Sequence, residues 1–213
     1  MLVSDRMKKP VLTITPDFPI HEALNILKHE QIRHIPVLQG GKLVGIVTNE
    51  DLFYASPSPA TSLSIWEMNY LISKVTVKEV MTENVVTVTE DTPIEAAALI
   101  MVKHKIGCLP VMRNDELVGI ITETDLLIIL PELMAINQSG IRATFLVKEE
   151  LGQLAKVTRV IADRGGNFLS FVQFAGDDHD NRLVTIKVDG LSMDAVRDCL
   201  NPIVVKVTDI RKN

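Results

Sequence analysis

Apolar residues over roughly residues 1–130 follow two spacings, alternating and helical, and the whole pattern occurs twice. Short β-rich runs at Val11 to Thr15 and Val85 to Thr89 each lead into Asp-x-Pro. There Asp17 or Asp91 can cap a helix, and Pro19 or Pro93 sits near its first turn, where a missing N–H costs little. Ile20, Ala23, Leu24 and Leu27 then stand at i, i+3, i+4, i+7, and Ile94, Ala97, Ala98 and Met101 repeat the stripe, so each helix buries one face. Ile35 to Leu38 and Lys42 to Val47 predict two strands across a Gly40-Gly41 hairpin turn, which becomes Asn114-Asp115 in the second occurrence. A second helix starts at Asn49 or Glu123 and is apolar through Leu52 and Phe53, or Leu126 and Leu127.

The recurrence is a duplication. Residues 7–54 lie over residues 81–128 without a gap at an offset of 74, with 19 identities in 48 positions. Chance would give about three for a typical composition. A unit of about fifty residues buries too little apolar surface to stand alone easily, so the two copies are expected to pack against each other. The connector reads as a Pro/Ser loop, Ser56 to Ser62, followed by an amphipathic helix over residues 63–74 with Ile65, Met68 and Ile72 on one side and the lone Trp66 within it.

The chemistry-bearing residues sit at the end of the second strand of each copy. Gly45-Ile46-Val47-Thr48-Asn49-Glu50-Asp51 is matched by Gly119-Ile120-Ile121-Thr122-Glu123-Thr124-Asp125. A hydroxyl that ends a strand and a carboxylate three residues on, in the first turn of a helix, converge beside free helix N–H groups. That set suits a ribose-phosphate, because a carboxylate can accept both vicinal ribose hydroxyls. The same residues can also serve purely as a helix cap, and both uses stay open at this point. These motifs, with Ile35-Pro36-Val37 and Leu109-Pro110-Val111, resemble the CBS domain, and the pair resembles a Bateman module.

The resemblance implies a pseudo-twofold α/β (α+β) pair whose clefts take an adenosyl ligand: AMP, ATP or S-adenosylmethionine. It implies a first nucleotide site at Thr48, Asp51, Ile35, Pro36 and Val37, and a second at Thr122, Asp125, Leu109, Pro110 and Val111. Backbone at Pro10, Val11, Asn84 and Val85 would border the bases. Before the hydrophobic-Pro step one copy has Arg33-His34 and the other Gly107-Cys108, so a phosphate is expected near Arg33 and His34. A solvated surface pair is the alternative for those two residues, and Cys108, placed with the second nucleotide site, reads as a small buried hydrophobe rather than a reactive thiol.

The remaining third has its own order. Ile141, Ala143, Phe145 and Val147 alternate, while Leu151, Leu154, Ala155, Thr158, Ile161 and Ala162 follow helical spacing up to Gly165-Gly166. Strands over Phe168 to Ala175 and Arg182 to Val188, a helix from Ser192 to Leu200 and a strand from Ile203 to Ile210 complete βαββαβ, a ferredoxin-like order. With Glu149-Glu150-Leu151-Gly152-Gln153-Leu154-Ala155 and Gly166-Asn167-Phe168, this segment resembles the ACT domain. That implies an amino-acid site at Leu151, Gly152, Gln153, Asn167 and Phe168, although Leu151 stands where the family usually carries proline. A βαββαβ domain that only dimerises is the plainer reading. The expected divisions are residues 1–55, first repeat; 56–79, linker loop and helix; 80–131, second repeat; 132–139, linker; and 140–213, ACT-like domain.

Composition narrows the function classes. The chain has 213 residues, 46% hydrophobic and only 4% aromatic, with net charge −5. Few rings and an acid balance argue against a nucleic-acid surface. Cys108 and Cys199 are too far apart for a disulfide framework or zinc knuckle, which fits a reducing, cytoplasmic compartment. MLVSDRMKKP lacks the apolar core of a secretory signal, and apolar runs such as Leu126 to Leu130 are far too short to span a bilayer. Asp177-Asp178-His179-Asp180 reads as a solvated turn, because four adjacent loop residues cannot all point at one ion. No metal site, catalytic cofactor or nucleophile with its base is visible. A CBS pair followed by an ACT-like domain is similar to the acetoin-utilisation B-type bacterial family. The expectation is a non-enzymatic, cytoplasmic ligand sensor that forms a homodimer and acts on a metabolic enzyme. An enzyme whose catalytic half is the C-terminal domain, and a regulatory subunit or adaptor that docks on a metabolic enzyme without binding a small molecule, are the rivals.

Overall fold

The computed structural model describes residues 1–55, 64, 67 and 74–212. The connector loop and most of the expected connector helix, including Trp66, lie outside the described residues. The chain divides into two compact units, Met1–Leu126 and Leu127–Asn213.

In the first unit the two repeats have the same build. The first contains α1 (Ile20–His29), strands β1 (His34–Gln39) and β2 (Lys42–Thr48), and α2 (Asn49–Tyr54). The second contains β3 (Val88–Thr89), α3 (Ile94–His104), β4 (Cys108–Arg113), β5 (Glu116–Thr122) and the start of α4 (Glu123–Leu133), whose later residues fall in the second unit. Both hairpins turn where residues tolerate positive φ: Gly40 at 57° and Gly41 at 81°, then Asn114 at 47° and Asp115 at 69°. Each hairpin carries the same register shift, between Val37 and Leu38 and between Val111 and Met112.

Two local expectations are corrected. Neither Asp17 nor Asp91 caps a helix: Pro19 and Pro93 occupy the N-cap positions in extended backbone, with no side-chain cap. The two carboxylates instead close the preceding turn, Asp91 accepting from the Thr89 hydroxyl, and the Thr15 side chain holding the Asp17 carboxyl below its ordinary range. The leading strands are also nearly absent. Only Val88–Thr89 pairs as a strand, parallel to β4, and its counterpart shrinks to a single parallel bridge between Ile14 and Val37.

The repeats trade their leading segments. A short helical turn at Val3–Asp5 bonds to the second repeat, Val3 N–H to Thr92 O at 2.9 Å and Ser4 N–H to Glu90 O at 3.0 Å. The matching turn at Val77–Glu79 bonds to the first, Val77 N–H to Phe18 O at 2.9 Å and Lys78 N–H to Pro16 O at 2.8 Å. Val3 and Met7 are buried in the second repeat's core with Leu109, Val111 and Ile121, and Val77 is buried in the first repeat's core with Ile35, Val37 and Leu52. Gly45 and Gly119 face this exchange closely: a Cβ on either would force the side chain of Met81 or Met7, respectively, to shift.

The second unit is built on β6 (Ile141–Lys148), α5 (Gln153–Ala162), β7 (Asn167–Ala175), β8 (Asn181–Asp189), α6 (Met193–Leu200) and β9 (Lys206–Lys212). The sheet order is β7-β8-β6-β9, all antiparallel. Ala143, Phe145, Val147, Val184, Ile186 and Val188 pack on Val157 and Ile161 of α5 and on Val196 and Leu200 of α6, as strict alternation along β6 and β8 dictates. The last strand begins three residues later than its sequence predicts, because Ile203 and Val204 bond back to Leu200 O and pack on that core. α4 continues through Pro131 to Leu133, so the proline does not stop the helix where it stands. No helix among the described residues is long and apolar enough to cross a membrane.

Candidate functional site

Thr48 leaves β2 in extended backbone and caps α2 through a reciprocal box. The Asp51 N–H donates to Thr48 Oγ1 at 3.2 Å, while the Thr48 N–H and hydroxyl donate to Asp51 Oδ2 at 2.8 and 2.7 Å. Thr122 and Asp125 repeat the box at the start of α4, with the Thr122 amide and hydroxyl 2.9 and 2.5 Å from Asp125 Oδ2. The helix-capping use of these residues is therefore real in both copies. It engages only one oxygen of each carboxylate.

Two clefts open beside these boxes, each built from both repeats. The larger, about 520 Å³, joins Thr48, Asn49, Glu50 and Asp51 to Thr82, Asn84, Val85 and Val86 and to Lys105, Ile106, Gly107, Cys108 and Pro110. The smaller, about 340 Å³, joins Thr122 and Thr124 to Lys8, Pro10, Val11 and Leu12 and to Gln31, Ile32, Arg33 and His34. Both fall in the size range of small-molecule sites. The backbone crossing that makes them is symmetric: Lys8 pairs with Ile120, and Thr82 with Ile46.

The expected residue sets are regrouped. Thr48 and Asp51 share a cleft with Asn84, Val85, Cys108 and Pro110, all from the opposite repeat. Thr122 shares one with Pro10, Val11, Arg33 and His34, but Asp125 does not line it. Ile35, Val37, Leu109 and Val111 are not walls of either cleft, because the strand pleat turns them into the two cores, where all four are 0% exposed. Pro36 is buried as well and lines neither cleft. Sequence reasoning missed Lys8 and Lys105, whose only signal is their place in the offset alignment beside positions already chosen.

Arg33 and His34 line both clefts. Arg33 bridges to the start of α4, its Nη2 3.1 Å from Glu123 Oε1 and 3.2 Å from Thr124 Oγ1. Burial pushes the His34 pKa below the ordinary histidine value, with the Arg33 charge adding to the effect against Glu123 and Asp51, so the ring is neutral at pH 7. Burial, helped by Glu123, pushes the Cys108 thiol up to about 12, which leaves it a wall atom rather than a nucleophile.

In the second unit a smaller hollow of about 230 Å³ is lined by Glu149, Glu150, Leu151, Gly152, Gln153 and Arg182 among others. Gly152 stands at φ 78°, where a side chain is strained, and opens α5. The Gln153 side chain turns inward and donates to Ile203 O at 2.6 Å. Asn167 and Phe168 pair with Asp189 and Val188, at the end of the sheet opposite Lys148 and Asn181. The proposed amino-acid residues are thus split between the two ends of one sheet.

Against known families, the CBS domain model matches residues 3–58 and 77–132, together more than half of the chain. The chain belongs to the CBS domain family. L-aspartate semialdehyde sulfurtransferase of Methanocaldococcus jannaschii is 35% identical over 127 residues, a match that spans 59% of this chain and only 22% of the enzyme. Among solved structures, the CBS domain pair of protein MJ0100 in complex with 5′-methylthioadenosine and S-adenosyl-L-methionine is 35% identical. It covers 61% of this chain and 95% of its own, with a TM-score of 0.51. A Vibrio cholerae protein assigned to acetoin utilization (AcuB) is 33% identical, covering 64% of this chain and 95% of its own, with a TM-score of 0.53. The matches to enzymes cover the CBS portion alone.

Proposed function

We propose that this protein is a non-enzymatic, ligand-sensing regulator of the cytoplasm whose CBS pair binds an adenosyl compound in the cleft at Thr48 and Asp51. The observation that carries the reading is that this cleft of about 520 Å³ has an acid and a hydroxyl from one repeat and Asn84, Val85, Cys108 and Pro110 from the other. The Asp51 oxygen outside the capping box suits a ribose diol, and the apolar side chains of Val85, Val86 and Ile106 in the same cleft suit an adenine face. The neighbouring structure of the MJ0100 pair, which holds two adenosyl compounds, supports the same ligand class.

A ligand seated between two repeats binds tightest in one arrangement of them and shifts the population toward it, which is the device of a regulator rather than a catalyst. Self-association as a homodimer is supported by Leu99 and Val102, one turn apart on α3 and 68% and 75% exposed. The βαββαβ unit is read as ACT-like, with an amino acid held where two copies bring the separated loops together, and the regulated partner as a metabolic enzyme.

Thermal-shift and calorimetric titration with AMP, ATP, S-adenosylmethionine and 5′-methylthioadenosine test the reading. A saturable shift with at least one of them is expected, weakened tenfold or more by Asp51→Ala. The absence of any shift would favour the adaptor that uses both boxes only as caps.

A further inference from the structure

The two clefts differ at the position where each repeat receives the other's leading segment. Lys8 in the first copy stands where the second has Thr82. Both make the same backbone pair across the repeats, at 2.8 and 3.1 Å for Lys8 with Ile120, and at 2.9 and 3.0 Å for Thr82 with Ile46. Their side chains therefore start from equivalent points, yet only the lysine is long enough to reach the acid. Lys8 Nζ lies 3.1 Å from Asp125 Oδ1. Asp125 Oδ2 is already taken by the Thr122 amide and hydroxyl, so both carboxylate oxygens are engaged.

Asp125 is 7% exposed and is absent from the wall of the smaller cleft. Asp51 stands on the wall of the larger one, and no partner for its Oδ1 is found among the described residues. A ribose diol can approach Asp51 without displacing anything. At Asp125 it would first have to break a charge-assisted pair and would return only hydroxyl bonds to a group already satisfied.

We propose that Lys8 locks Asp125, so that the pair takes a single adenosyl ligand, at Asp51. This rests on the adenosyl reading and adds which cleft is closed and by what. Isothermal titration of the full chain with 5′-methylthioadenosine and with AMP tests it. Wild type should bind one equivalent per chain, and Asp51→Asn should weaken that binding at least tenfold. Lys8→Thr, which copies Thr82, and Lys8→Met, which keeps the stem and removes the charge, should each create a second equivalent. In the Lys8→Thr background, Asp125→Asn should weaken the new site at least tenfold. Two equivalents in wild type, a single site untouched by Asp51→Asn, or no second site in either folded Lys8 variant would overturn the lock. If neither wild type nor the Lys8 variants bind either compound, the adenosyl reading itself fails and takes the lock with it.

Discussion

Asp51 and Asp125 share a sequence motif and a capping role but not an environment, and stability should report the difference without any ligand. Asp51→Asn disturbs a cap, a loss of about 0.5–1 kcal/mol. Asp125→Asn disturbs the same cap and also strands Lys8, so it should cost a further ~0.5–1 kcal/mol, read as a lower urea midpoint at unchanged slope. Equal midpoints for the two variants would mean the ion pair contributes nothing. The motif residues themselves were readable from the sequence because a Thr at a strand end and an Asp three residues later have few ways to satisfy a helix start. The ion pair was not readable, since it joins residues of opposite repeats through a backbone crossing that no local pattern announces. The same holds for Ile35 and its counterpart Leu109: their type is right for a wall, but the pleat sends them inward.

At the scale of elements, the hairpins and helices were legible from turn residues and apolar spacing, whereas the leading strands were not. Val11 to Thr15 has strand composition, but Lys8 just before it is already committed to the opposite repeat and only Ile14 reaches Val37, so the run serves as a crossing between repeats. Val3 and Val77, identical at the same offset, were the unused sign that the repeat extends further toward the N-terminus. Each is 0% exposed in the other copy's core. Val77→Ala should therefore destabilise the pair by about 2 kcal/mol, from lost burial and a residual cavity, and lower its melting temperature by several degrees. A change of under a degree would show that the exchanged segment is dispensable.

β1 opens on His34, which is half-buried and neutral. Because its folded pKa is depressed, its contribution to stability is present in full above the unfolded value and is lost as pH falls through the folded one. Melting temperature should fall as pH drops below about 6.5, and His34→Gln should flatten that limb. An unchanged limb in the variant would assign the acid sensitivity to other groups.

For the whole molecule, the two-part organisation follows from patterning: a duplicated α+β half, then a βαββαβ unit with its own core of Phe145, Ile161, Ile186 and Leu200. The family assignment covers the first half, and the duplication that reveals it is visible without any structure. The clefts were less legible, because each is assembled from one repeat's strand end and the other's approach segment, while an in-register alignment encourages pairing residues within a copy. If the homodimer forms, sedimentation velocity should give a mass near twice the chain's 23.6 kDa, and Leu99→Glu with Val102→Glu should shift it toward the monomer. A monomer at micromolar concentration in the wild type would overturn that assembly.

The exchange of leading segments also orders events on the ribosome. Val3 and Met7 are made well before their seat among Leu109, Val111 and Ile121, which does not exist until more than a hundred further residues have been synthesised. The first repeat likewise waits for Val77 before its core is closed. Neither repeat can close its core from its own residues alone, so the exchange makes maturation of the pair a joint event of both.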